Sequence, residues 1–267
     1  MKIAASVTPN QTKFGPLLYP GDLETALSRL SEFGYDGIEL SLRTPLDVPH
    51  DQLFSMLERC GMELISIATG QSYLEDGLSV FSSDPVKQAG VVNRLKGHID
   101  LAEKSSASVI LGGIKGSLGQ PDDKAQYDRG LEVIAELVEY AEPRGVVLLV
   151  ESINRYEANI FNTVESALAL ARDINSPTLR VLPDTFHMNI EEVSMVDSIV
   201  KADAFVGALH CADSNRKAPG MGHIDFEPII EAAKRLPNLR YLGVEVLPLP
   251  DSDTCAETAI RTISRYL

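Results

Sequence analysis

The sequence predicts a single (β/α)8 barrel that extends over residues 1–267. Short apolar runs of strand character alternate with segments whose apolar residues recur at helical spacing. This alternation continues eight times without a linker, a low-complexity segment or a shift in composition. The chain has 267 residues, of which 44% are hydrophobic, and this is enough for one large core. Eight such units favour a closed barrel over an open sheet.

Four predicted strand and helix units make up the first half of the chain. Asp22 provides an N-cap for the first helix, and Gly34 and Gly61 end the first and second helices. The third strand runs into GQSYLEDG. The predicted strands are residues 2–8, 37–43, 63–69 and 108–114, and the predicted helices are residues 23–33, 52–60, 85–104 and 122–142.

The second half repeats the pattern, but each of its strands ends in a side chain suited to chemistry. The predicted strands are VVLLVE, LRVLPD, FVGALH and YLGVE, and the predicted helices are residues 163–174, 194–201, 226–235 and 253–266. The strand ends carry Glu151, Asp184, His210 and Glu245. A buried strand has no structural use for an acid at its end. Because the C-terminal ends of barrel strands meet on one face, the sequence predicts a metal site there.

Three carboxylates and one imidazole are mostly hard ligands. They favour one divalent ion such as Mn²⁺, Mg²⁺ or Co²⁺ over a metal that prefers thiolates, and Zn²⁺ remains an alternative. Cys211 follows His210 directly and is predicted to point away from the site into the core. Gly112 and Gly113, at the end of the fourth strand, either leave space at the barrel mouth or turn the chain.

Composition excludes several classes of partner. The net charge is -14 and no block of basic residues is present, so we expect no nucleic acid partner. The three cysteines are widely spaced and form no CxxC, which argues against a disulfide framework and fits a reducing cytoplasm. No segment approaches the roughly 18 apolar residues of a membrane span. We therefore expect a cytoplasmic protein.

Four segments carry a family likeness. ESINRYEANIFNT, LPDTFHMNIEE, HCADSNRKAPGMGHIDF and GVEVLPLP resemble the xylose-isomerase-like TIM barrels and, within them, the ketose 3-epimerases of the tagatose/psicose type. The resemblance extends over most of the chain. It implies a sugar or sugar-acid substrate and a homo-oligomer, a dimer or a tetramer. It also implies that the four strand-end residues hold one divalent metal and that the substrate oxygens are bound by Glu157, His187 and Arg216.

The N-terminal half resembles one branch of this group. IATGQSYLEDGLS and the arginine after the second strand are similar to the epimerases of keto-hexuronates, which act on 5-keto-L-gluconate and tagaturonate. The chain has no Trp, although neutral-ketose epimerases often present an indole to the sugar. We therefore predict that Arg43 pairs with a substrate carboxylate, with Lys115 as the second candidate. The alternative for Arg43 is a salt bridge to a loop acid such as Asp47.

The predicted reaction is epimerisation next to a ketone. A weakly acidic C–H proton is removed, an enediolate is held, and a proton returns to the opposite face. We predict Glu151 and Glu245 as the two bases, because they belong to strands five and eight and so can flank a sugar. A divalent metal that binds the ketone oxygen and the neighbouring hydroxyl stabilises the developing charge.

Other functions remain open on the sequence. An aldose–ketose isomerase of the hydroxypyruvate-isomerase type, or a ketose-phosphate epimerase, would use the same residues. An abasic-site endonuclease is built on the same barrel but needs a cluster of metals and correspondingly more ligands. The five histidines and the net charge of -14 argue against it. A sugar-binding barrel without catalysis would have little reason to keep both glutamates. Asn154 and Arg155 are predicted to brace the loop after strand five.

Overall fold

Eight parallel strands form the inner layer of the molecule in a computed structural model, which describes residues 1–13, 15–120 and 122–267. The strands are β1 Lys2–Val7, β2 Gly37–Ser41, β3 Glu63–Ala68, β4 Ser108–Leu111, β5 Leu148–Glu151, β6 Leu179–Leu182, β7 Leu209–His210 and β8 Tyr241–Val244. Their order is β6-β5-β4-β3-β2-β1-β8-β7. Isolated bridges between Val181 and Val206 and between Asp184 and His210 join the two ends of this order. The sheet therefore closes into a nearly complete barrel, and the predicted fold class is confirmed.

Helices cover the outside of the barrel and part of one of its ends. They are α1 Leu23–Phe33, α2 His50–Cys60, α3 Gly70–Asp76, α4 Pro85–Glu103, α5 Lys124–Ala141, α6 Val164–Ile174, α7 Thr185–Glu191, α8 Met195–Ala202, α9 Phe226–Ala233 and α10 Ser252–Ser264. Several begin at the side-chain caps that their sequences provide. Asp22 accepts from the backbone of Thr25, and Thr163 forms a capping box with Ser166. Gly34 ends α1 in the left-handed conformation, as predicted.

Two short helices, α3 and α7, were not predicted. Each has seven residues and follows a strand, β3 or β6, on the face that carries the strand-end acids. Seven residues make about two turns, too few for a clear periodic pattern. The N-terminus of α7 is fixed by Asp184, whose side chain accepts from the backbone of Phe186 and His187. The prediction of eight helices was therefore wrong on this face of the barrel.

The core has two layers. The larger one lies between the strands and the helices, and it includes Cys211, as predicted. A smaller apolar cluster fills the inside of the barrel: Ala4, Ile65, Ala68, Ile110, Leu149, Leu182, Ala208 and Tyr241. Among the described residues, no helix is both long and apolar enough to cross a membrane.

Candidate metal centre

The structure brings the four strand-end side chains together. Glu151 and His210 are the last residues of β5 and β7, Glu245 follows β8 directly, and Asp184 lies two residues beyond β6. All four are buried, and one ligand atom from each lies within 4.8 Å of the others. Ligand atoms placed about 2.0 to 2.5 Å from a common centre have separations of this size.

His210 lies at the middle of the group. Its Nδ1 is 3.5 Å from Oε1 of Glu151, 3.7 Å from Oδ2 of Asp184 and 3.9 Å from Oε2 of Glu245. Within the described part of the chain, Nδ1 of His210, Oε1 of Glu151 and Oδ2 of Asp184 are buried and make no hydrogen bond. Buried polar atoms are nearly always partnered. Three unpartnered atoms that converge on one point fit a divalent ion with oxygen and nitrogen ligands.

Asp184 is oriented by the helix it caps. Its Oδ1 accepts from the backbone nitrogens of Phe186 at 2.7 Å and His187 at 3.3 Å, which leaves Oδ2 directed at His210. Burial alone would raise the pKa of Asp184, but interactions with His187 and His210 outweigh it and lower the pKa to about 2. Asp184 is therefore held as a carboxylate, the form in which it can bind a cation.

Glu151 and Glu245 repel one another across the site. Burial raises the pKa of Glu245 well above its usual value, and the nearby charge of Glu151 raises it further. Two buried carboxylates are difficult to keep ionised together without a positive charge between them. The electrostatics of the group thus agree with its geometry, since a divalent cation offsets the repulsion.

A fifth buried acid belongs to this centre and was not predicted. Glu39 lies in the middle of β2, and its Oε2 is 3.0 Å from Nε2 of His210. The available signal was an acid inside the apolar run GIELS. Glu39 lies within this run and not at a strand end, where the sequence predicted the ligands.

A cavity of about 370 Å³ adjoins the group. It is lined by Gly112, Ile153, Glu157, Arg216 and Leu247, together with Tyr73 of α3 and Lys13 from the loop after β1. Arg216 connects the two regions, because its Nη2 is 3.7 Å from Oε2 of Glu245. A larger cavity of about 600 Å³ lies elsewhere, beside Leu118 and Tyr127, but the smaller one borders the converging carboxylates.

The predicted substrate residues Glu157, His187 and Arg216 lie close together. Nη1 of Arg216 donates to Oε1 of Glu157 at 2.9 Å, and Nδ2 of Asn154 donates to the same oxygen at 3.2 Å. The Asn154 amide also lies 2.7 Å from Nδ1 of His187. Because an amide nitrogen donates, Nδ1 of His187 accepts and its Nε2 carries the proton. Asn154 therefore braces this loop, and so does Arg155, whose backbone nitrogen and guanidinium both bind the carboxylate of Glu191 in α7.

The loop that carries Arg216 is built around Asp213. This carboxylate accepts from the backbone nitrogens of Ser214, Gly220 and Ile224. Arg216 has a positive φ of 60°. A residue other than glycine adopts such a backbone angle only when its surroundings hold it. Its Nε is buried and has no hydrogen-bond partner among the described residues.

Arg43 and Lys115 do not join the cluster of Glu157, His187 and Arg216. The Arg43 guanidinium pairs with Asp76 and lines a separate hollow with Asp47, whose carboxylate accepts from the Arg43 backbone nitrogen. Lys115 is buried, and its Nζ donates to the carbonyl oxygens of Leu111, Gly112 and Glu151. Burial lowers the pKa of Lys115 to about 8, against the attraction of Glu151. Lys115 thus joins the ends of β4 and β5, and Arg43 as a substrate contact stays a prediction.

The chain is similar to known proteins in both sequence and fold. The family model described as "Xylose isomerase-like TIM barrel" matches residues 27–263. An L-ribulose 3-epimerase of Mesorhizobium japonicum is 32% identical over 215 residues, which are 79% of this chain and 71% of that protein. A D-psicose 3-epimerase of Enterocloster bolteae is 29% identical over 85% of this chain and 76% of its own. The crystal structure of a D-allulose 3-epimerase from Methylomonas sp. superposes with a TM-score of 0.84 at 23% identity, covering 100% of this chain and 98% of that one.

Proposed function

The chain belongs to the xylose isomerase-like TIM barrel family, and on that premise we propose that it is a divalent-metal-dependent 3-epimerase of a ketose or keto-hexuronate. It is a sugar epimerase or isomerase by class, as its curated relatives are. One observation supports the 3-epimerase proposal most directly. Glu151 and Glu245 belong to strands that are not neighbours in the barrel, and both flank the point on which Nδ1 of His210 is directed.

In the proposed reaction the two glutamates exchange a proton with opposite faces of the same carbon. One carboxylate removes the proton from C3, next to the ketone, and the other carboxylic acid returns a proton to the opposite face. Either direction of the reaction uses the same pair with the roles reversed.

The same four side chains would also hold the ion that assists this reaction. A divalent ion bound by Glu151, Asp184, His210 and Glu245 would stabilise the negative charge that develops next to the reacting carbon, a contribution of several kcal/mol. Each glutamate has two carboxylate oxygens, so a second oxygen would remain for proton transfer. The burial of both side chains keeps bulk water away from the reacting atoms.

Three further residues are proposed to bind the sugar hydroxyls. Glu157 and Arg216 line the cavity beside the metal centre, and the buried Nε of Arg216 offers a donor. His187 presents Nε2–H because Asn154 engages its Nδ1. A carboxylate acceptor and two nitrogen donors suit the hydroxyl groups of a polyol chain.

The test follows the deuterium that the protein introduces into a substrate. The Mn²⁺-loaded protein is incubated in D2O with separate ketoses, keto-hexuronates and ketose phosphates, and C–H exchange is followed by NMR. We expect deuterium at C3 together with the C3 epimer. Deuterium at C1 of the recovered ketose and at C2 of an aldose product would indicate the isomerase instead. Absence of exchange from the whole panel, under conditions where bound metal is verified, would contradict the proposal.

A further inference from the structure

Glu39 is a buried acid in a position where an apolar side chain would ordinarily lie. It is the middle residue of β2, and it is fully buried within the barrel. Its two oxygens accept four hydrogen bonds, from Ser6 at 2.7 Å, Ser66 at 2.8 Å, Tyr241 at 2.9 Å and His210 at 3.0 Å. A buried carboxylate is tolerated only when it is hydrogen-bonded in this way.

The donors are supplied by neighbouring strands in register. Ser6 of β1 and Ser66 of β3 are the direct cross-strand partners of Glu39, so the three side chains form one row inside the barrel. Ser6 donates to Oε1, whereas Ser66, Tyr241 and His210 donate to Oε2. The carboxylate is thereby held in one orientation, with Oε2 directed at the imidazole.

The imidazole of His210 is confined on its other side by β8. A Cβ atom at Gly243 would lie 2.6 Å from Cδ2 of His210 and 3.1 Å from its Nε2. Gly243 is also the cross-strand partner of His210. The ring therefore fits between the backbone of Gly243 and the carboxylate of Glu39, and a side chain at position 243 would displace it.

These contacts decide which nitrogen of His210 carries the proton. A neutral imidazole has one N–H, and a carboxylate accepts it. Since Nε2 lies 3.0 Å from Oε2 of Glu39, the proton belongs on Nε2, and the lone pair of Nδ1 faces the carboxylates of Glu151, Asp184 and Glu245. We propose that Glu39 is a positioning residue of the metal centre, which holds His210 in the tautomer and ring orientation that bind the ion.

This inference rests on the proposed metal centre. A carboxylate behind a metal-binding histidine restricts the ring and raises its strength as a ligand, and loss of such a partner typically costs about 10- to 100-fold in metal affinity. A merely structural acid would affect folding of the metal-free protein but not the intrinsic affinity for the ion. Metal affinity measured on folded protein therefore separates the two roles.

The experiment compares Glu39→Gln and Glu39→Leu with Tyr241→Phe. Tyr241→Phe removes a hydrogen bond from the same oxygen of Glu39 but leaves His210 untouched. Metal-free proteins are titrated with Mn²⁺ by calorimetry and with Co²⁺ by absorption spectroscopy, and their unfolding is measured in parallel. We expect affinity to fall by about 10-fold in Glu39→Gln and by about 100-fold in Glu39→Leu, with little change in Tyr241→Phe.

The experiment distinguishes failure of the metal centre from failure of the positioning role. If the wild-type protein binds neither ion, the metal centre and the proposed function fail together. If the wild type binds but both Glu39 variants bind equally well, or Tyr241→Phe weakens binding as much, the positioning role is overturned and the metal centre stands.

A measurement on the wild type keeps the test decisive if the Glu39 variants do not fold. Protein with ¹⁵N-labelled histidine, loaded with diamagnetic Mg²⁺, should give a proton on Nε2 of His210 and none on Nδ1. The signal is assigned by its loss in His210→Asn. A proton on Nδ1 would overturn the inference.

Discussion

A Cβ atom at position 112 would lie 2.3 Å from Oε2 of Glu151. This separation is too short for a non-bonded contact of a Cβ atom, so the carboxylate of the proposed base occupies the space that a side chain at the end of β4 would take. Glycine leaves this space free for the carboxylate, which supports the first of the two roles that the sequence left open for Gly112.

Gly112→Ala should lower kcat/KM by about 100-fold, because a displacement of about 1 Å of a reacting group has an effect of that size. Gly113→Ala is the matched control. The nearest atom to its added Cβ is Cα of Gly70 at 3.7 Å, an ordinary contact, and we expect activity near that of the wild type. The steady-state kinetics of the two variants, measured with Mn²⁺ in excess, provide the comparison. Equal activities would contradict the proposed role of Gly112.

Much of the barrel could be predicted because its signals are local. Strand-like runs, caps such as Asp22 and glycines such as Gly34 are recognisable within about ten residues of sequence. The convergence of Glu151, Asp184, His210 and Glu245 followed from one rule, that strand ends of a barrel meet on one face. The helices α3 and α7 could not be predicted, because they are too short for a periodic pattern.

Glu39 and Asn154 illustrate what sequence alone does not reveal. Glu39 contacts His210, which lies 171 positions further along the chain. The two residues meet only when the barrel closes. Asn154 was expected to brace a loop, but its bond to His187 depends on the position of α7. Arg43 was predicted to face substrate, and its pairing with Asp76 depends on α3, which the sequence did not indicate.

Removal of the metal should abolish turnover. Dialysis against EDTA should leave the protein inactive, and Mn²⁺ or Co²⁺ should restore the rate. Because the ligands come from four strands, the ion binds the folded state alone and raises its stability, by about 2.7 kcal/mol at 100 times Kd and hence about 5 to 10 °C in Tm. Asp184→Asn is the control and should lose most of this rise. Full activity of protein verified to be metal-free would exclude a catalytic metal.

Replacement of either base should stop epimerisation. Glu151→Gln and Glu245→Gln preserve size and a carbonyl oxygen for the ion but remove the base, so kcat should fall by at least about 100-fold. Each variant keeps one base and should still exchange the C3 proton of one epimer in D2O, without converting it to the other. Bound metal is measured in each variant as the control. Near-normal epimerisation by either variant would reduce that residue to a metal ligand.

His98 should make the stability of the fold depend on pH. The imidazole is fully buried in α4, and neither ring nitrogen has a hydrogen-bond partner among the described residues. Burial lowers its pKa from 6.5 to about 3, and the charge of Arg94 acts in the same direction. The unfolded chain therefore binds a proton below pH 6.5 that the folded chain rejects until about pH 3. The contribution of neutral His98 to the free energy of unfolding is therefore fully present above pH 6.5 and is lost as the pH falls towards 3.

The loss attributable to His98 should be about 2 kcal/mol between pH 7 and pH 5. His98→Leu should remove this pH dependence, whereas a change at the exposed His223 should not. Urea unfolding of wild type, His98→Leu and His223→Leu at several pH values, with EDTA present, measures the effect. Parallel pH profiles for wild type and His98→Leu would show that the ring is protonated in the folded protein.

Arg43 is the residue at which a preference for an acidic substrate can be tested. Its guanidinium pairs with Asp76, but Asp76 also accepts from Arg94 at 2.9 Å, so Asp76 would keep a cationic partner if Arg43 turned to a substrate. Arg43 is half exposed, and a bidentate contact with a carboxylate has a planar geometry that Lys does not copy. Loss of such a contact costs about 1.5 to 3 kcal/mol, or roughly 10- to 150-fold in kcat/KM.

We therefore expect Arg43→Met to lose activity selectively on a keto-hexuronate such as tagaturonate and to lose little on tagatose or psicose. Arg94→Met is the matched control, because it removes the other partner of Asp76 and should affect acidic and neutral substrates alike. Both variants and the wild type are assayed on the two kinds of substrate side by side. Equal losses in Arg43→Met would mean that the Arg43–Asp76 pair only holds the loop after β2 against α3, and that substrate charge is recognised elsewhere or not at all.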